Sequence, residues 1–260
     1  MERLINKHLR TKTFGRVIRF YREVESTNDV AFDLAKEGAT EGTVIIADTQ
    51  TKGRGRLQRK WISPPGFNLY MSIIFRPSIS SKDASILTLV SSVALFEAVN
   101  SYGIKCQIKW PNDLLINRRK VAGVLTEMEL DGERVEFVLV GLGINLNMTR
   151  VVMNNLMGEV SEIATSVREE LGHEVDRSEF AANLINLLEK WYEELNSKGK
   201  ATIIDEWKKR WGDLNKRVRV RIDRNLIEGI ACDLDQNGFL VIRRDNGKVE
   251  RIIAGDVTVI

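Results

Sequence analysis

Cysteine and histidine are nearly absent from this chain. Its 260 residues hold two cysteines, Cys106 and Cys232, and two histidines, His8 and His173. So small a supply excludes a disulfide framework, a cysteine-rich zinc module and a multi-histidine metal centre. Charge of one sign is also lacking. Thirty-nine Lys and Arg face 36 Asp and Glu, a formal net charge of +3, too little to mark a dedicated nucleic-acid binder. No apolar run approaches the roughly 20 residues a membrane span needs, and the charged start Met1-Glu2-Arg3 does not read as a signal peptide. The sequon Asn147-Met148-Thr149 therefore reads as chance, and a soluble, cytoplasmic protein with no membrane partner is expected. What is present, 43% hydrophobic and 29% charged residues, suits a globular protein with a sizeable core. The length fits one large domain, or one with a small satellite.

The common nucleotide and hydrolase signatures are missing too. Phe137 to Gly143 looks like a strand entering a dinucleotide fingerprint, but the third glycine position holds Leu146. Counting from Gly53 and Gly55, the same position holds Gln58. There is no GxxxxGK[ST] phosphate loop, no HExxH and no GxSxG.

Positive charge is instead concentrated in one place. Thr49 to Trp61 carries Lys52, Arg54, Arg56, Arg59 and Lys60 with no acid, and without these five the rest of the chain is net negative. Gly53 and Gly55 give the stretch flexible φ/ψ and backbone N–H groups free to meet an anion. A nucleotide phosphate chain fits such a loop, and a solvated basic loop fits it equally well. A nucleic-acid-binding module is a third reading, weakened because Trp61 is the one nearby aromatic for base stacking.

Along the chain, Arg16–Val24 reads as a strand, Ser26-Thr27 as a cap for a helix ending near Gly38, and Thr43–Ala47 and Leu69–Phe75 as buried strands. Ile86, Leu89, Val90, Val93 and Phe96 fall at helical spacing, with Gly103 as a stop. Ile104–Trp110 reads as a strand broken by Pro111-Asn112-Asp113. Val121–Leu130 and Arg134–Val140 form a hairpin around Asp131-Gly132. Helices are expected over Ser178–Asn196 and Thr202–Trp211. Beyond Trp211 only short strands follow, Arg217–Ile222, Ile227–Leu234, Phe239–Arg243 and Val249–Ile253, the pattern of a small barrel. These patterns predict an α+β protein with units at 1–211 and 212–260.

Four segments in order carry more information than any one of them. They are Ser26-Thr27-Asn28; Gly53-Arg54-Gly55-Arg56-Leu57-Gln58-Arg59-Lys60-Trp61; Lys109-Trp110-Pro111-Asn112-Asp113 with Lys120 to Glu127; and Gly141-Leu142-Gly143-Ile144-Asn145. Together they resemble the biotin–protein ligase family, and the likeness covers most of the chain. The resemblance implies a class II synthetase-like mixed sheet with packed helices, plus a small C-terminal SH3-like β-barrel. It also implies a two-step reaction. Biotin's carboxylate attacks the α-phosphate of ATP to give biotinyl-5′-AMP, and a lysine of a biotin carboxyl carrier protein then takes the biotinyl group. Such chemistry needs positioning and charge neutralisation more than an enzyme nucleophile. A short, monofunctional type is implied, acting without DNA. Twenty-five residues, several strand-like, precede Ser26, too few for a three-helix reader.

Carried over by position, Ser26, Thr27, Asn28, Gln50, Gly53, Arg54, Gly55, Arg56, Lys120 and Gly123 match the biotin side. Arg54, Arg56, Arg59, Trp61, Asn112, Lys120 and Asn145 match the ATP side, with Lys120 and Arg56 in the catalytic role. Hydroxyl and amide side chains suit a ureido ring, which both donates and accepts, although Ser26 and Thr27 also suit simple helix capping. Mg²⁺ is implied alongside the ATP phosphates, with no dedicated metal cage. Asp113 would either help hold that ion or orient Lys120. A homodimer follows from family analogy. One departure stands at Leu214-Asn215-Lys216, where the family leads one to expect a glycine. A lipoate–protein ligase shares the fold and the adenylation logic, but the arginine-rich loop argues against it.

Overall fold

A computed structural model describes residues 1–223 and 225–260. After a short helix α1 (Glu2–Asn6), the chain forms β1 (Ile18–Val24), α2 (Thr27–Lys36), β2 (Val44–Gln50) and β3 (Leu69–Phe75). Next come α3 (Ile86–Asn100), β4 (Gln107–Lys109), β5 (Asp113–Ile116), β6 (Arg119–Asp131) and β7 (Arg134–Ile144). The seven strands make one mixed sheet in the order β1-β2-β3-β7-β6-β5-β4. Only β1 and β2 run parallel; every other pairing is antiparallel.

The two faces of this sheet differ, and the difference makes the site. Leu69, Met71, Ile73 and Phe75 of β3 and Val138, Val140, Leu142 and Ile144 of β7 join the main core. That core is closed by α3 and by α6 (Arg177–Lys198). On the other face α2 covers Ile45, Ile74, Phe137 and Leu139 with Ala31 and Ala35. Past these apolar residues it contributes only the polar side chains of its first turn, among them Asn28 over Gly141. Beyond Leu139 the same face of β7 carries only glycine, Gly141 and Gly143, beside Gly123 of β6.

The periodicity of α3 suggested one apolar face, yet Leu87, Ser91, Ser92 and Leu95 are buried as well. The helix is enclosed by the sheet on one side and by α6 and α7 (Lys200–Lys209) on the other. Ser81–Asn100 is also long and apolar enough to cross a membrane by length and composition, which corrects the sequence reading. Its residues are instead spent on the core, two thirds of the stretch being buried. The strand expected over Ile104–Trp110 shrinks to β4, because Trp110 turns into the core and its indole Nε1 donates to Gly238 O at 3.1 Å. Three helices escaped the sequence, all short: α1, α4 (Arg150–Met157) and α5 (Val167–Leu171). The latter two have side-chain caps, from Thr149 and Ser166 respectively.

Helix α6 also secures the approach to β1. The carboxylate of Glu189, only 8% exposed, accepts from the backbone N–H groups of Lys12, Thr13 and Phe14 at 2.6–2.9 Å. The C-terminal strands are β8 (Arg217–Ile222), β9 (Asn225–Leu234), β10 (Leu240–Arg243), β11 (Val249–Ile252) and β12 (Asp256–Val259). They pair antiparallel in the order β11-β10-β9-β8-β12. The expected barrel is thus an open-ordered sheet; β11 and β12 are edges with no ladder between them among the described residues. The outward arginines of β8 are solvated or paired, as with Arg219 and Glu228 on neighbouring β9. Where a glycine was expected, Asn215 takes φ 61°, a left-handed conformation that asparagine tolerates. Val218, Val220, Leu240, Ile242 and Val257 belong to the same buried cluster as the large sheet, so the change of grammar near residue 211 is a packed junction.

Candidate active site

One face of β6 and β7 is floored by glycine, and the side chains of Asn28 and Trp61 lie directly on that floor, forming the walls of a shallow trough. A Cβ on Gly141 would lie 2.5 Å from Asn28 Oδ1, and one on Gly143 would lie 2.5 Å from the Trp61 ring. Any larger residue would therefore displace a site group. This is the role of the GLG segment that failed as a dinucleotide motif: its glycines make space over a strand and bend around no phosphate.

The polar end of the trough is a network of neutral side chains. Ser26 caps α2, its Oγ accepting from the Asn28 N–H at 3.3 Å. Thr27 donates through N and Oγ1 to Gln50 Oε1 at 2.8 and 3.1 Å, and Gln50 Nε2 donates to Ser63 Oγ at 3.1 Å. Ser72 Oγ lies 2.7 Å from Thr27 Oγ1 and 2.6 Å from Asn28 Oδ1. Capping and ligand-facing placement are thus both available to Ser26 and Thr27.

The basic loop closes over this end as a small hairpin, with Gly55 N bonded to Arg59 O at 2.7 Å and Trp61 N to Gly53 O at 2.9 Å. The glycines were expected to supply unusual backbone angles. Gly55 has φ −113° and Gly53 is not left-handed either; the positive φ values fall on Leu57 and Gln58, at 55° and 56°. Gly53 is needed for room, since a Cβ there would sit 2.6 Å from Trp61 O. Arg54 pairs with Asp29 at 2.7 Å and Glu127 at 3.2 Å. Its pKa is pushed above the ordinary value, chiefly by the hydrogen bond to Asp29. Burial acts on Arg56 in the opposite direction and lowers its pKa, with the Asp256 and Asp113 charges opposing that effect. Its Nη1 donates to Asn112 Oδ1 at 3.4 Å. Arg59 turns away from the trough and pairs with Asp256 of β12.

At the cationic end, Lys120 Nζ lies 2.6 Å from Asp113 Oδ1 and 5.3 Å from the centre of the Trp61 ring. Strict alternation would put Lys120 and Gly123 on opposite faces of β6. A register shift opposite Leu114 and Leu115 leaves Val121 as the extra residue, so Lys120 pairs with Leu115 and Gly123 with Asp113. The bulge thereby brings Lys120, Gly123 and Asp113 to one face. A Cβ on Gly123 would meet the Lys120 ammonium at 3.2 Å. Asn112 and Asn145 are fixed by their own amides, Asn112 Nδ2 donating to Val124 O at 2.6 Å and Asn145 Nδ2 to Thr165 O at 3.1 Å. Asn145 is 2% exposed and serves here as a tie between β7 and the segment before α5.

Comparison with known proteins places this fold and its motifs in a family. The chain matches the Biotin/lipoate A/B protein ligase family over residues 20–145 and the Biotin protein ligase C terminal domain over residues 213–259. The bifunctional ligase/repressor BirA of Bacillus subtilis is 34% identical over 250 residues, covering 96% of this chain and 76% of that protein. The chain belongs to the biotin–protein ligase family. A biotin–[acetyl-CoA-carboxylase] ligase of Paracoccus denitrificans is also 34% identical, over 86% of this chain and 93% of its own length. A biotin protein ligase from Aquifex aeolicus, solved with biotin and ATP, superposes with a TM-score of 0.78 at 28% identity, covering 94% of this chain and 99% of that one.

Within this biotin–protein ligase framework, several residues with no expected role join the motif residues in the structure. Glu127 ends a quoted motif yet had no role, and Asp29 and Ser72 carried no signal at all. Gly141 and Gly143 were noted only as part of a motif. Beside the trough, Asn28, Asp29, Phe32, Arg54, Glu127 and Phe137 border a pocket of about 200 Å³.

Proposed function

We infer that this chain is an ATP-dependent biotin–protein ligase that forms biotinyl-5′-AMP and transfers biotin to a lysine of a biotin carboxyl carrier protein. The observation that carries the reading is the arrangement of the site, with the hydroxyls and amides of Ser26, Thr27, Asn28 and Gln50 gathered at one end and Lys120 with Arg56 at the other. A ureido head and a carboxylate tail need that polarity, and the membership of the family supplies the substrates.

In this reading Ser26, Thr27, Asn28 and Gln50 meet the ureido ring, while Gly53, Gly55 and Gly123 allow close approach. Biotin's carboxylate oxygen then bonds to the α-phosphorus of ATP as the bond to pyrophosphate breaks. Lys120 and Arg56 offset the charge gathered on the carboxylate and phosphate oxygens, the place where such donors act most strongly. In the second half-reaction the carrier's lysine amine attacks the carbonyl carbon, AMP departs, and the amine loses a proton. Trp61 walls the trough, and Arg59 stands ready to leave Asp256 for the nucleotide. Asn112 and Asn145 border the nucleotide side chiefly as fixed supports.

Magnesium accompanies ATP phosphates as a rule, but the residues here do not fit a resident metal site. Among the described residues no three His, Cys, Asp or Glu side chains cluster for a metal, and Asp113 is paired with Lys120. Asp113 is thus assigned to orienting the lysine. We further propose a unit at 1–211 with a C-terminal unit at 212–260, a cytoplasmic location, and a homodimer by analogy within the family.

Biotin-dependent exchange of labelled pyrophosphate into ATP tests the reading, with lipoate and no-acid controls. Exchange with biotin alone supports it; exchange with lipoate alone moves the substrate; exchange with neither, from folded protein with Mg²⁺, overturns it. The match over residues 213–259 and the biotin-ligase relatives favour biotin over lipoate.

A further inference from the structure

Arg54, the first arginine of the loop, lies between two carboxylates drawn from different elements. Its Nη2 is 2.7 Å from Asp29 Oδ1 on the first turn of α2, and 3.2 Å from each oxygen of Glu127 on β6. Two negative charges already face this one positive charge. An incoming carboxylate would find little net attraction there and would have to displace an existing partner. Arg56 differs: its side-chain hydrogen bond, at 3.4 Å, is to the neutral amide of Asn112. Among the described residues Lys120 has a single acidic partner, Asp113.

Glu127 has a second partner on the opposite side. Asn28 Nδ2 donates to Glu127 Oε2 at 2.6 Å, while Asn28 Oδ1 faces the Ser72 hydroxyl at 2.6 Å. An ionised carboxylate only accepts, so it fixes which end of the asparagine amide points its way. Gly141 lies directly beneath the amide, where a Cβ would come within 2.5 Å of its Oδ1.

We propose that Glu127 is a positioning residue: it orients the Asn28 amide and clamps Arg54 against α2. Arg54 then anchors the root of the basic loop, and the substrate carboxylate is received by Arg56 and Lys120. This inference rests on the biotin-ligase reading.

Calorimetric binding of biotin and of its uncharged methyl ester to the full chain separates the possibilities. Arg54→Met and Glu127→Gln should weaken both ligands by a similar factor, about tenfold, because the anchor serves the whole site. Loss confined to biotin in Arg54→Met would make Arg54 a carboxylate receptor and overturn the proposal. So would unchanged binding of both ligands to Glu127→Gln. Glu127→Asp, which keeps the charge, should recover part of the loss.

If the wild-type protein binds neither ligand, the biotin reading itself fails, and the clamp is judged on ligand-free protein. Limited trypsin digestion should then cut the 52–60 segment of Glu127→Gln several-fold faster than that of the wild type, with thermal midpoints within a few degrees. Equal cutting rates would overturn the clamp.

Discussion

Lys120 shows how much of a catalytic assignment turns on one side chain's surroundings. After Asn117-Arg118-Arg119 it would pass for a solvated turn residue. The bulge at Val121, the Asp113 carboxylate at 2.6 Å and the glycine beneath its ammonium turn it into the trough instead. Replacing it by alanine should slow single-turnover adenylation by about 10²–10³-fold, the range for losing one charge-stabilising donor. Biotin affinity should fall far less. Normal adenylation in that variant would remove Lys120 from the mechanism. Gly143 is the second residue-scale test. Alanine there puts a Cβ into the Trp61 ring, so Gly143→Ala should shift tryptophan emission and raise the KM for biotin without a comparable fall in kcat. Emission and KM both at the wild-type value would mean that the close approach is not needed.

The helices are fixed by contacts the sequence does not advertise. Glu189 lies on the inner side of α6, where its carboxylate takes three backbone N–H groups from the chain before β1. Glu189→Ala removes the shared acceptor of these three donors and orphans the buried one of Phe14, so chemical denaturation should report a loss of about 2 kcal/mol; a loss below about 0.5 kcal/mol would show that water replaces the carboxylate. A smaller and pH-dependent effect belongs to the turn before α3. Hydrogen bonding to Lys200 holds the Asp83 carboxyl below its ordinary value. A depressed carboxyl contributes stability that is present above its unfolded pKa, near about 4, and is lost as pH falls through the folded value. Both partners are partly exposed, so the pair contributes under about 1 kcal/mol. Asp83→Asn should lower Tm slightly at pH 7 and not at pH 2. An equal shift at both pH values would exclude the ion pair as its cause.

Across the molecule, the small C-terminal sheet is joined to the large one by shared core and by polar ties. Trp110 donates to Gly238 O, Arg59 of the basic loop pairs with Asp256, and Val218, Val220 and Leu240 lie in the common cluster. Residues 1–211 expressed alone should therefore expose apolar surface, bind a hydrophobic dye and lose a sharp thermal transition. A cooperative transition with no dye binding would make the two units independent. The loop offers the complementary test: biotin plus ATP should protect residues 55–60 from trypsin, since an adenylate must be shielded from water. Equal cleavage with and without ligands would remove closure from the account.

The chain alone determined the α+β class, most strands and the long helices, because these follow from local alternation, helical spacing and turn residues. It also determined which motifs belong together, through Gly53 to Trp61, the Lys109–Asp113 segment and Lys120. Short capped helices such as α5 were invisible, since five residues carry too little periodicity. What only the tertiary structure decided is where side chains point. Strand alternation gives two faces and cannot register a bulge at Val121, so it misplaces Lys120 against Gly123. Nor can local sequence show that Asp29 and Glu127 enclose Arg54, or that Gly141 and Gly143 floor a trough. Those relations join residues distant in the chain, and only packing and strand register bring them within reach of one another.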